Sequence, residues 1–349
     1  MKALKEVEGH KAAVVEVPKP RLRPDYILIK TKAVALNPTD WKHIDKMADP
    51  GTTIGCDCAG IVEEIGPEVT KKFKKGDRVA SFTHGGNNIE PEDGGFAEYF
   101  VGKGDIVFHI PDFMSFEDAA TLPVAIITCG QGLYQHMGLP WPDKPLKEKR
   151  YLLVYGGSTG TGMAAIQYAK LSGFDVLVTC SPRNFDLVKS LGASKAYDYK
   201  SPTCAEDIRR DTDNQLFYAF DCISEGSSPG ICAGALSTGK APEGEPPRYG
   251  AILRVKDFPR DDVTQTYNLG YTCTGEKFVF RGGVEWAANK DDFEFAKKWF
   301  TFNETLLAEK KIKGHRPSLR DGGLDKILEG LDDVRTGKVS GEKIVYTIA

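Results

Sequence analysis

The chain has no long hydrophobic run, no strong net charge and no apolar signal segment. None of its apolar stretches approaches the roughly 18 residues that a membrane-spanning helix needs. The formal net charge is −3 over 349 residues, so no overall field draws the chain to nucleic acid or to an anionic membrane. Residues 1–8 lack the apolar core of a secretory signal. We therefore expect a cytoplasmic protein that binds neither nucleic acid nor membrane.

The chain also lacks the cysteine spacing of a disulfide framework. Its eight cysteines are scattered through the chain, and no Cys-x-x-Cys occurs. Small secreted domains instead space their cysteines closely along a short chain. This distribution favours reduced, mostly buried thiols over disulfides.

Two kinds of pattern divide the chain. The first ~120 residues are rich in strand-like segments, such as 26–36 and 60–66, which proline and glycine separate. From about residue 121, short apolar strands alternate with helical segments. This alternation is typical of a mostly parallel, doubly wound sheet. We therefore predict an α/β fold in which a β-rich lobe precedes the parallel sheet.

One segment, 151–162, reads YLLVYGGSTGTG. An apolar strand enters a glycine-rich turn, a helix follows from about residue 163, and a second strand lies at 175–179. In such a unit the glycines let the backbone approach a pyrophosphate, and the helix N-terminus attracts its charge. The segment predicts a dinucleotide site at Gly156, Gly157, Ser158, Thr159, Gly160 and Thr161.

The second strand ends without the acidic residue that NAD-binding folds place there. The sequence at 179–184 is TCSPRN, and the next carboxylate, Asp186, falls inside the following helix. An acidic residue at this point accepts from a ribose 2′-hydroxyl, whereas arginine suits a 2′-phosphate. We therefore favour NADPH over NADH, with Ser181, Arg183 and Asn184 as ligands. Ser181 before Pro182 also fits a helix N-cap, and the two roles are compatible.

The order of the two patterns, together with several short motifs, resembles the medium-chain dehydrogenase/reductase superfamily. The motifs are VALNPTD at 34–40, GCDCAG at 55–60, GDRV at 76–79, GGFAEY at 94–99 and LP at 122–123. In that superfamily a GroES-like lobe comes first, a Rossmann domain follows, and the carboxyl-terminal segment returns to the first lobe. The resemblance implies a GroES-like lobe at 1–120 and 276–349 and a Rossmann NADPH-binding domain at 121–275.

A second set of strings is similar to the fungal trans-acting enoyl reductases, typified by the lovastatin-pathway enzyme, and to their toxin-cluster relatives. These strings are LVYGGST at 153–159, TCSP at 179–182, NFDL at 184–187 and SGEKIV at 340–345. The similarity implies NADPH-dependent reduction of an α,β-unsaturated acyl thioester in secondary metabolism. It also implies a carrier-tethered substrate and a partner polyketide synthase, with or without a peptide synthetase module.

The zinc ligands of the superfamily are absent from the matching positions. Zinc members place Cys where this chain has Asn37, and His-Glu where it has Cys56-Asp57. Cys56 and Cys58 cannot replace them together, because alternate residues of a strand point to opposite faces. We therefore expect no metal. Without that Lewis acid, reduction of a polarised C=C bond fits better than oxidation of an alcohol.

The resemblance also implies roles for single residues. Thr39, Asp40, Trp41 and Lys42 would face the nicotinamide. Lys42 and Thr128 are the candidate catalytic residues, and each would bond either to the cofactor or to the carbonyl oxygen, where negative charge develops. A solvated loop lysine and a buried helical threonine are the alternatives. Further cofactor contacts would come from Tyr199, Ser340, Gly341 and Lys343, and the acyl pocket from Thr128, Cys129, Gly130, Tyr267, Asn268, Leu269, Gly270 and Tyr271.

Two other functions stay open from the sequence. A free-standing, zinc-independent reductase of quinones or small enones would use the same chemistry without a partner. A non-catalytic NADPH-binding protein would keep the nucleotide site alone. The proline- and glycine-rich segment 239–250 blunts a strand edge, so we expect a monomer.

Overall fold

The structure is a computed structural model that describes residues 1–349. The chain forms two compact units. The first comprises Met1–Ile127 and Tyr271–Ala349, and the second comprises Thr128–Gly270. The chain thus enters the second unit after residue 127 and leaves it after residue 270, whereas the sequence patterns place these changes near 120 and 275.

The strands and helices have the following bounds. The strands up to residue 127 are β1 (Lys2–Val7), β2 (Lys11–Glu16), β3 (Tyr26–Ala35), β4 (Asp57–Ile65), β5 (Arg78–Phe82), β6 (Tyr99–Lys103) and β7 (Phe108–His109). The later strands are β8 (Tyr151–Tyr155), β9 (Asp175–Cys180), β10 (Lys195–Asp198), β11 (Tyr218–Asp221), β12 (Arg248–Ala251), β13 (Thr264–Tyr267), β14 (Phe278–Phe280), β15 (Val284–Trp286), β16 (Pro317–Arg320) and β17 (Lys343–Thr347). The α-helices are α1 (Pro38–Lys42), α2 (Phe116–Ala120), α3 (Pro123–Cys129), α4 (Gly160–Leu171), α5 (Phe185–Ser190), α6 (Cys204–Asp211), α7 (Ser228–Ala235), α8 (Lys290–Ala308) and α9 (Ile327–Arg335).

The first unit is built around the long strand β3. Its sequence, YILIKTKAVA, is apolar on both faces, and most of its residues are buried. The strand order of the main sheet is β16-β17-β3-β4-β5-β7, and β6 also pairs with β3. Strand β17 pairs antiparallel with the end of β3 at Val345, Tyr346 and Thr347. One sheet therefore needs residues from both ends of the chain.

The second unit is a parallel sheet with the order β10-β9-β8-β11-β12-β13. Every neighbouring pair of strands runs parallel. The chain moves outward from β8 in one direction and from β11 in the other, so the order reverses between these two strands. Ligands of doubly wound sheets bind at the carboxyl ends of the strands beside such a switch point. The predicted fold class, with a parallel doubly wound sheet, is confirmed.

The predicted elements around the glycine run agree closely with the structure, and one distant helix is shorter than predicted. The amphipathic pattern at about 291–312 predicts one long helix. The structure has α8 there, which begins after the Asn289 N-cap and ends at Ala308. Lys310 takes a left-handed backbone conformation with φ of 57°, which an α-helix cannot continue. Among the helices, none combines the length and the apolar surface that crossing a bilayer requires. All eight cysteines are buried free thiols.

Candidate active site

The glycine turn of the second unit is braced by the strand next to it. The backbone N–H groups of Gly156 and Gly157 donate to the carbonyl oxygen of Thr179 at 3.1 and 3.0 Å. Gly156 has φ of +77°, a conformation that favours glycine. Thr159 is the N-cap of α4, and its hydroxyl accepts from the Gly162 N–H at 3.0 Å. Gly156 and Gly157 therefore shape the turn with their N–H groups instead of offering them to a ligand.

Close packing explains why two positions of this turn, Gly157 and Gly162, carry no side chain. A Cβ on Gly162 would lie 2.3 Å from the Gly156 carbonyl oxygen, and one on Gly157 would lie 2.1 Å from Val178 Cγ1. The N–H groups of Gly160 and Thr161 belong to the first turn of α4, where no intrahelical partner exists. This cradle of bare backbone at a helix N-terminus fits a pyrophosphate.

A buried carboxylate that was not among the predicted site residues fixes the loop beside this turn. Asp221, at the end of β11, accepts from the N–H groups of Ile223 and Ser224 and from the hydroxyls of Ser228 and Tyr249, at 2.6–2.9 Å. The side chain of Ile223 in turn lies 2.9 Å from the position that a Cβ on Gly156 would occupy. The sequence signal was an aspartate that ends a buried apolar strand.

The segment after β9 carries the residues predicted to hold a 2′-phosphate. Ser181 is half-buried, Arg183 is exposed and Asn184 is buried. Ser181 stands at the N-cap of the short turn Pro182–Asn184, but its side chain makes no capping hydrogen bond. Tyr199 follows β10, and its ring lies 6.3 Å from the ring of Tyr155. None of these positions carries a carboxylate.

The predicted substrate residues of the second unit fall into two groups. Thr128 is half-buried, and its neighbours Cys129 and Gly130 are buried. The thiol of Cys129 donates to the carbonyl oxygen of Thr161 at 3.4 Å, which ties it to the start of α4. The other group, 267–270, begins at the last residue of β13. It comprises the exposed Tyr267, the half-buried Leu269 and Gly270, and the 3 % exposed Asn268, whose Oδ1 has no hydrogen-bond partner.

In the first unit, α1 carries the predicted nicotinamide-facing residues. Asn37 is its N-cap, and the Asn37 N–H donates to Asp40 Oδ2 at 2.7 Å. Burial, followed by the nearby charge of Asp57, raises the pKa of the Asp40 carboxyl to about 7. Because this carboxyl is fully enclosed, its position argues against the predicted contact with the cofactor. Trp41 and Lys42 are half-buried, and the ammonium of Lys42 lies 5.7 Å from the ring of Trp41.

The carboxylate of Asp57 joins three separate segments of the first unit. Its Oδ1 accepts from the N–H of Val124, at the start of α3, at 2.7 Å. Its Oδ2 accepts from Asn37 Nδ2 at 2.8 Å and from the ammonium of Lys343. Lys343 also donates to the carbonyl oxygen of Thr121 at 3.3 Å. Asp57 was not predicted as a connecting residue. Lys343, predicted as a cofactor ligand, instead bonds to Asp57 and Thr121 inside the first unit.

The carboxyl-terminal turn next to Lys343 also contains predicted cofactor residues. Ser340 is half-buried, and Gly341 is buried with φ of +71°. The positive φ explains the glycine at this turn. Their contact with a cofactor stays a prediction.

The zinc positions of the superfamily hold a different set of interactions here. Asn37 and Asp57 bond to each other, and the cation beside them is Lys343. Burial raises the pKa of the Cys56 thiol well above its usual value. No group of three or more His, Cys, Asp or Glu side chains is arranged to hold a metal ion.

Tyr271, the first residue of the returning segment, reaches α1. Its hydroxyl lies 2.5 Å from Thr39 Oγ1. Its ring stacks on His84 at 4.3 Å and contacts His43 at 5.3 Å and Phe280 at 5.8 Å, edge to face. The structure thus brings together two residues with different predicted roles: Thr39 as a cofactor contact and Tyr271 as part of the acyl pocket.

Comparison with known families gives two matches, one in each part of the chain. Residues 23–112 match the alcohol dehydrogenase GroES-like domain, and residues 160–233 match the zinc-binding dehydrogenase family. Solved structures share the fold over nearly the whole chain. A quinone oxidoreductase from Coxiella burnetii aligns with a TM-score of 0.71 at 22 % identity, covering 100 % of this chain and 99 % of its own. The CurK enoyl reductase aligns with a TM-score of 0.75 at 18 % identity, covering 100 % and 99 %.

Curated relatives are much closer in sequence. Trans-enoyl reductase ACTTS2 of Alternaria alternata is 48 % identical over 336 residues, covering 96 % of this chain and 95 % of its own. Trans-enoyl reductase resD of Aspergillus sclerotiorum is 45 % identical, covering 97 % and 98 %. Trans-enoyl reductase TOXD of Cochliobolus carbonum is 52 % identical, covering 74 % and 85 %. These matches confirm both resemblances, and the chain belongs to the medium-chain dehydrogenase/reductase superfamily and, within it, to the fungal trans-enoyl reductases.

Proposed function

We propose that this protein is a cytoplasmic, NADPH-dependent enoyl reductase that acts in trans on an acyl chain carried by a partner polyketide synthase. The observation that carries the proposal is the 45–52 % identity to proteins named trans-enoyl reductase. The family fold uses a nicotinamide cofactor, which supplies a hydride when bound. The glycine cradle at the start of α4 fits the pyrophosphate of such a cofactor.

The choice of NADPH rests on the segment after β9. Arg183 is exposed and has no carboxylate neighbour within 179–184, so its guanidinium is available to a 2′-phosphate. Ser181 and Tyr199 are the proposed hydroxyl partners, with Asn184 beside them. The Gly160 and Thr161 N–H groups are the proposed pyrophosphate donors.

The chain's own residues must hold the enoyl group and stabilise charge. Negative charge develops on the carbonyl oxygen during reduction of an enoyl thioester, and fixed donors near that oxygen lower the barrier. We assign this role to the Lys42 ammonium and the Thr128 hydroxyl. Lys42 belongs to α1, whose N-cap is fixed by Asp57, so its backbone starts from a defined position.

We also propose that the protein is a monomer. Strand β13 is a sheet edge of only four residues, and Pro246 and Pro247 precede its neighbour β12. A short edge next to proline is a poor template for pairing with a second sheet. Light scattering of the purified protein tests this proposal, and a dimer mass would contradict it.

The reductase activity is tested by mixing purified protein with NADPH and a panel of acceptors. We expect oxidation of NADPH with a crotonyl pantetheine thioester, and slower turnover with NADH. Lys42→Ala should lower kcat/KM by about 10²-fold, the usual cost of a lost oxyanion donor. Lys46→Ala, an exposed lysine on the next helical turn, is the matched control. Turnover of quinones without turnover of thioesters would overturn the proposal, as would NADPH binding without turnover of any acceptor.

A further inference from the structure

The hydroxyls of Tyr271 and Thr39 form a close pair inside the first unit. Their oxygens are 2.5 Å apart. Tyr271 is only 7 % exposed, and its ring is held between the imidazoles of His84 and His43 and the ring of Phe280. The ring packing therefore holds the phenol in one position. The direction of its hydrogen bond with Thr39 decides whether the Thr39 hydroxyl proton is free to bond to another group.

The 2.5 Å contact by itself allows either hydroxyl to donate, and the chemistry of the two groups favours Tyr271. The only other hydrogen-bonding neighbour of the phenol oxygen is Cys56 Sγ at 3.9 Å, and sulfur is a weak acceptor. A phenol is more acidic than an aliphatic alcohol, so we take the proton between the two oxygens to come from Tyr271. Burial also raises the pKa of Tyr271 well above its usual value, which keeps this proton in place.

The remaining neighbour of Thr39 Oγ1 cannot accept its proton. His43 Nδ1 lies 3.5 Å from Thr39 Oγ1 and 2.9 Å from the carbonyl oxygen of Thr39. A carbonyl oxygen only accepts, so Nδ1 carries the hydrogen. Burial lowers the pKa of His43 to about 4, so the ring is neutral and keeps this tautomer. The Thr39 hydroxyl accepts from Tyr271 and has no acceptor for its own proton among these groups.

We propose that Tyr271 is a positioning residue. By donating to Thr39 Oγ1, it leaves the Thr39 hydroxyl to donate its own proton to an oxygen atom of a bound ligand. The acceptor is a carbonyl or hydroxyl oxygen, supplied by the thioester substrate or by the nicotinamide cofactor. The inference rests on the proposed reductase function. Thr39 is half-buried, so its hydroxyl is partly open to a ligand, and a donor fixed in advance loses little entropy on binding.

The test is a double-mutant cycle of Tyr271→Phe and Thr39→Val. Tyr271→Phe keeps the ring and its packing and removes only the phenol oxygen. We expect each single variant to lower kcat/KM for the crotonyl thioester by about 10-fold. The double variant should be no worse than Thr39→Val, because Tyr271 acts only through Thr39. Thr39→Ser should retain activity within about 3-fold, since it keeps the hydroxyl.

The control is Tyr99→Phe, which removes a phenol oxygen from a half-buried tyrosine of β6. Titration of NADPH fluorescence separates the two possible acceptors of the Thr39 proton. Weaker NADPH binding by Tyr271→Phe would show that the acceptor is on the cofactor. A lower kcat at an unchanged NADPH Kd would show that the acceptor is on the thioester. Multiplicative losses in the double variant, or wild-type values of both kcat/KM and Kd for Tyr271→Phe, would overturn the inference. Absence of thioester reduction by the wild type would instead refute the proposed function, and the NADPH Kd would still test the pair.

Discussion

Replacement of Lys343 by methionine should strongly destabilise the first unit. The ammonium of Lys343 is the only cation that contacts the Asp57 carboxylate, and the two side chains are 5 % and 0 % exposed. Methionine fills a similar volume but leaves the carboxylate buried without a countercharge. Asn37 and the Val124 N–H remain as donors, but neither carries charge.

The structure sets the size of this effect. Removal of one partner from a buried ion pair costs about 3–5 kcal/mol, because the other charge stays buried and uncompensated. The first unit has about 200 residues, for which 1 kcal/mol shifts the melting temperature by roughly 2–4 °C. Lys343→Met should therefore lower the melting temperature of this unit by about 6–20 °C.

Thermal unfolding followed by circular dichroism measures this shift. The matched control is Lys338→Met, which breaks the Lys338–Asp333 pair at 3.0 Å. Lys338 is 68 % exposed, so the loss should stay within about 1 kcal/mol. The double variant Asp57→Asn/Lys343→Met removes both charges and should be more stable than Lys343→Met alone. A shift below 3 °C for Lys343→Met, or a double variant less stable than it, would refute the ion-pair reasoning.

Three further predictions concern pH, packing and cofactor choice. Because the raised pKa of about 7 for Asp40 lies above its ordinary value, the folded state retains a proton that the unfolded chain loses near pH 4. The contribution of this group to stability therefore falls as pH rises from about 4 to 7. Asp40→Asn should gain stability relative to the wild type between pH 5 and 7 in melting curves, and a constant difference would contradict the assignment. Gly162→Ala places a Cβ 2.3 Å from the Gly156 carbonyl oxygen. Overpacking costs about 1–3 kcal/mol, so the substitution should weaken NADPH binding by about 5- to 150-fold in a fluorescence titration. Gly230→Ala, where nothing lies within 4 Å, should bind normally. Arg183→Ala should weaken NADPH binding about 10- to 100-fold and leave NADH binding unchanged, and equal losses for both cofactors would show that Arg183 does not read the 2′-phosphate.

The sequence was most informative where one short segment determines its own conformation. Strand β8, the turn with Gly156 and the start of α4 follow one another without a break, and local glycine and hydrophobic patterns suffice to predict them. The parallel sheet follows from the repetition of such units. The family motifs added the GroES-like lobe, which strand patterns alone would have left as an unspecified β-rich region.

The connections between distant segments could not be predicted in this way. Asp57 and Lys343 are 286 residues apart, and neither residue carries a local signal of its partner. Tyr271 and Thr39 are 232 residues apart, and only the folded chain shows that their hydroxyls meet. Asp221 looked like the polar end of an apolar strand, and its four donors become visible only with the loop and strand that surround it.

The pairing of β17 with β3 has a consequence for synthesis on the ribosome. Every strand of the second unit lies within Thr128–Gly270, so all of them are translated before β17. Strand β3 is translated far earlier, but its neighbour β17 and the countercharge of Asp57 both come from residue 343 onward. Until that segment is made, the nascent chain has an open edge at the end of β3 and an Asp57 carboxylate without its ammonium partner. The sheet of the first unit can therefore be completed only after the whole second unit has been translated.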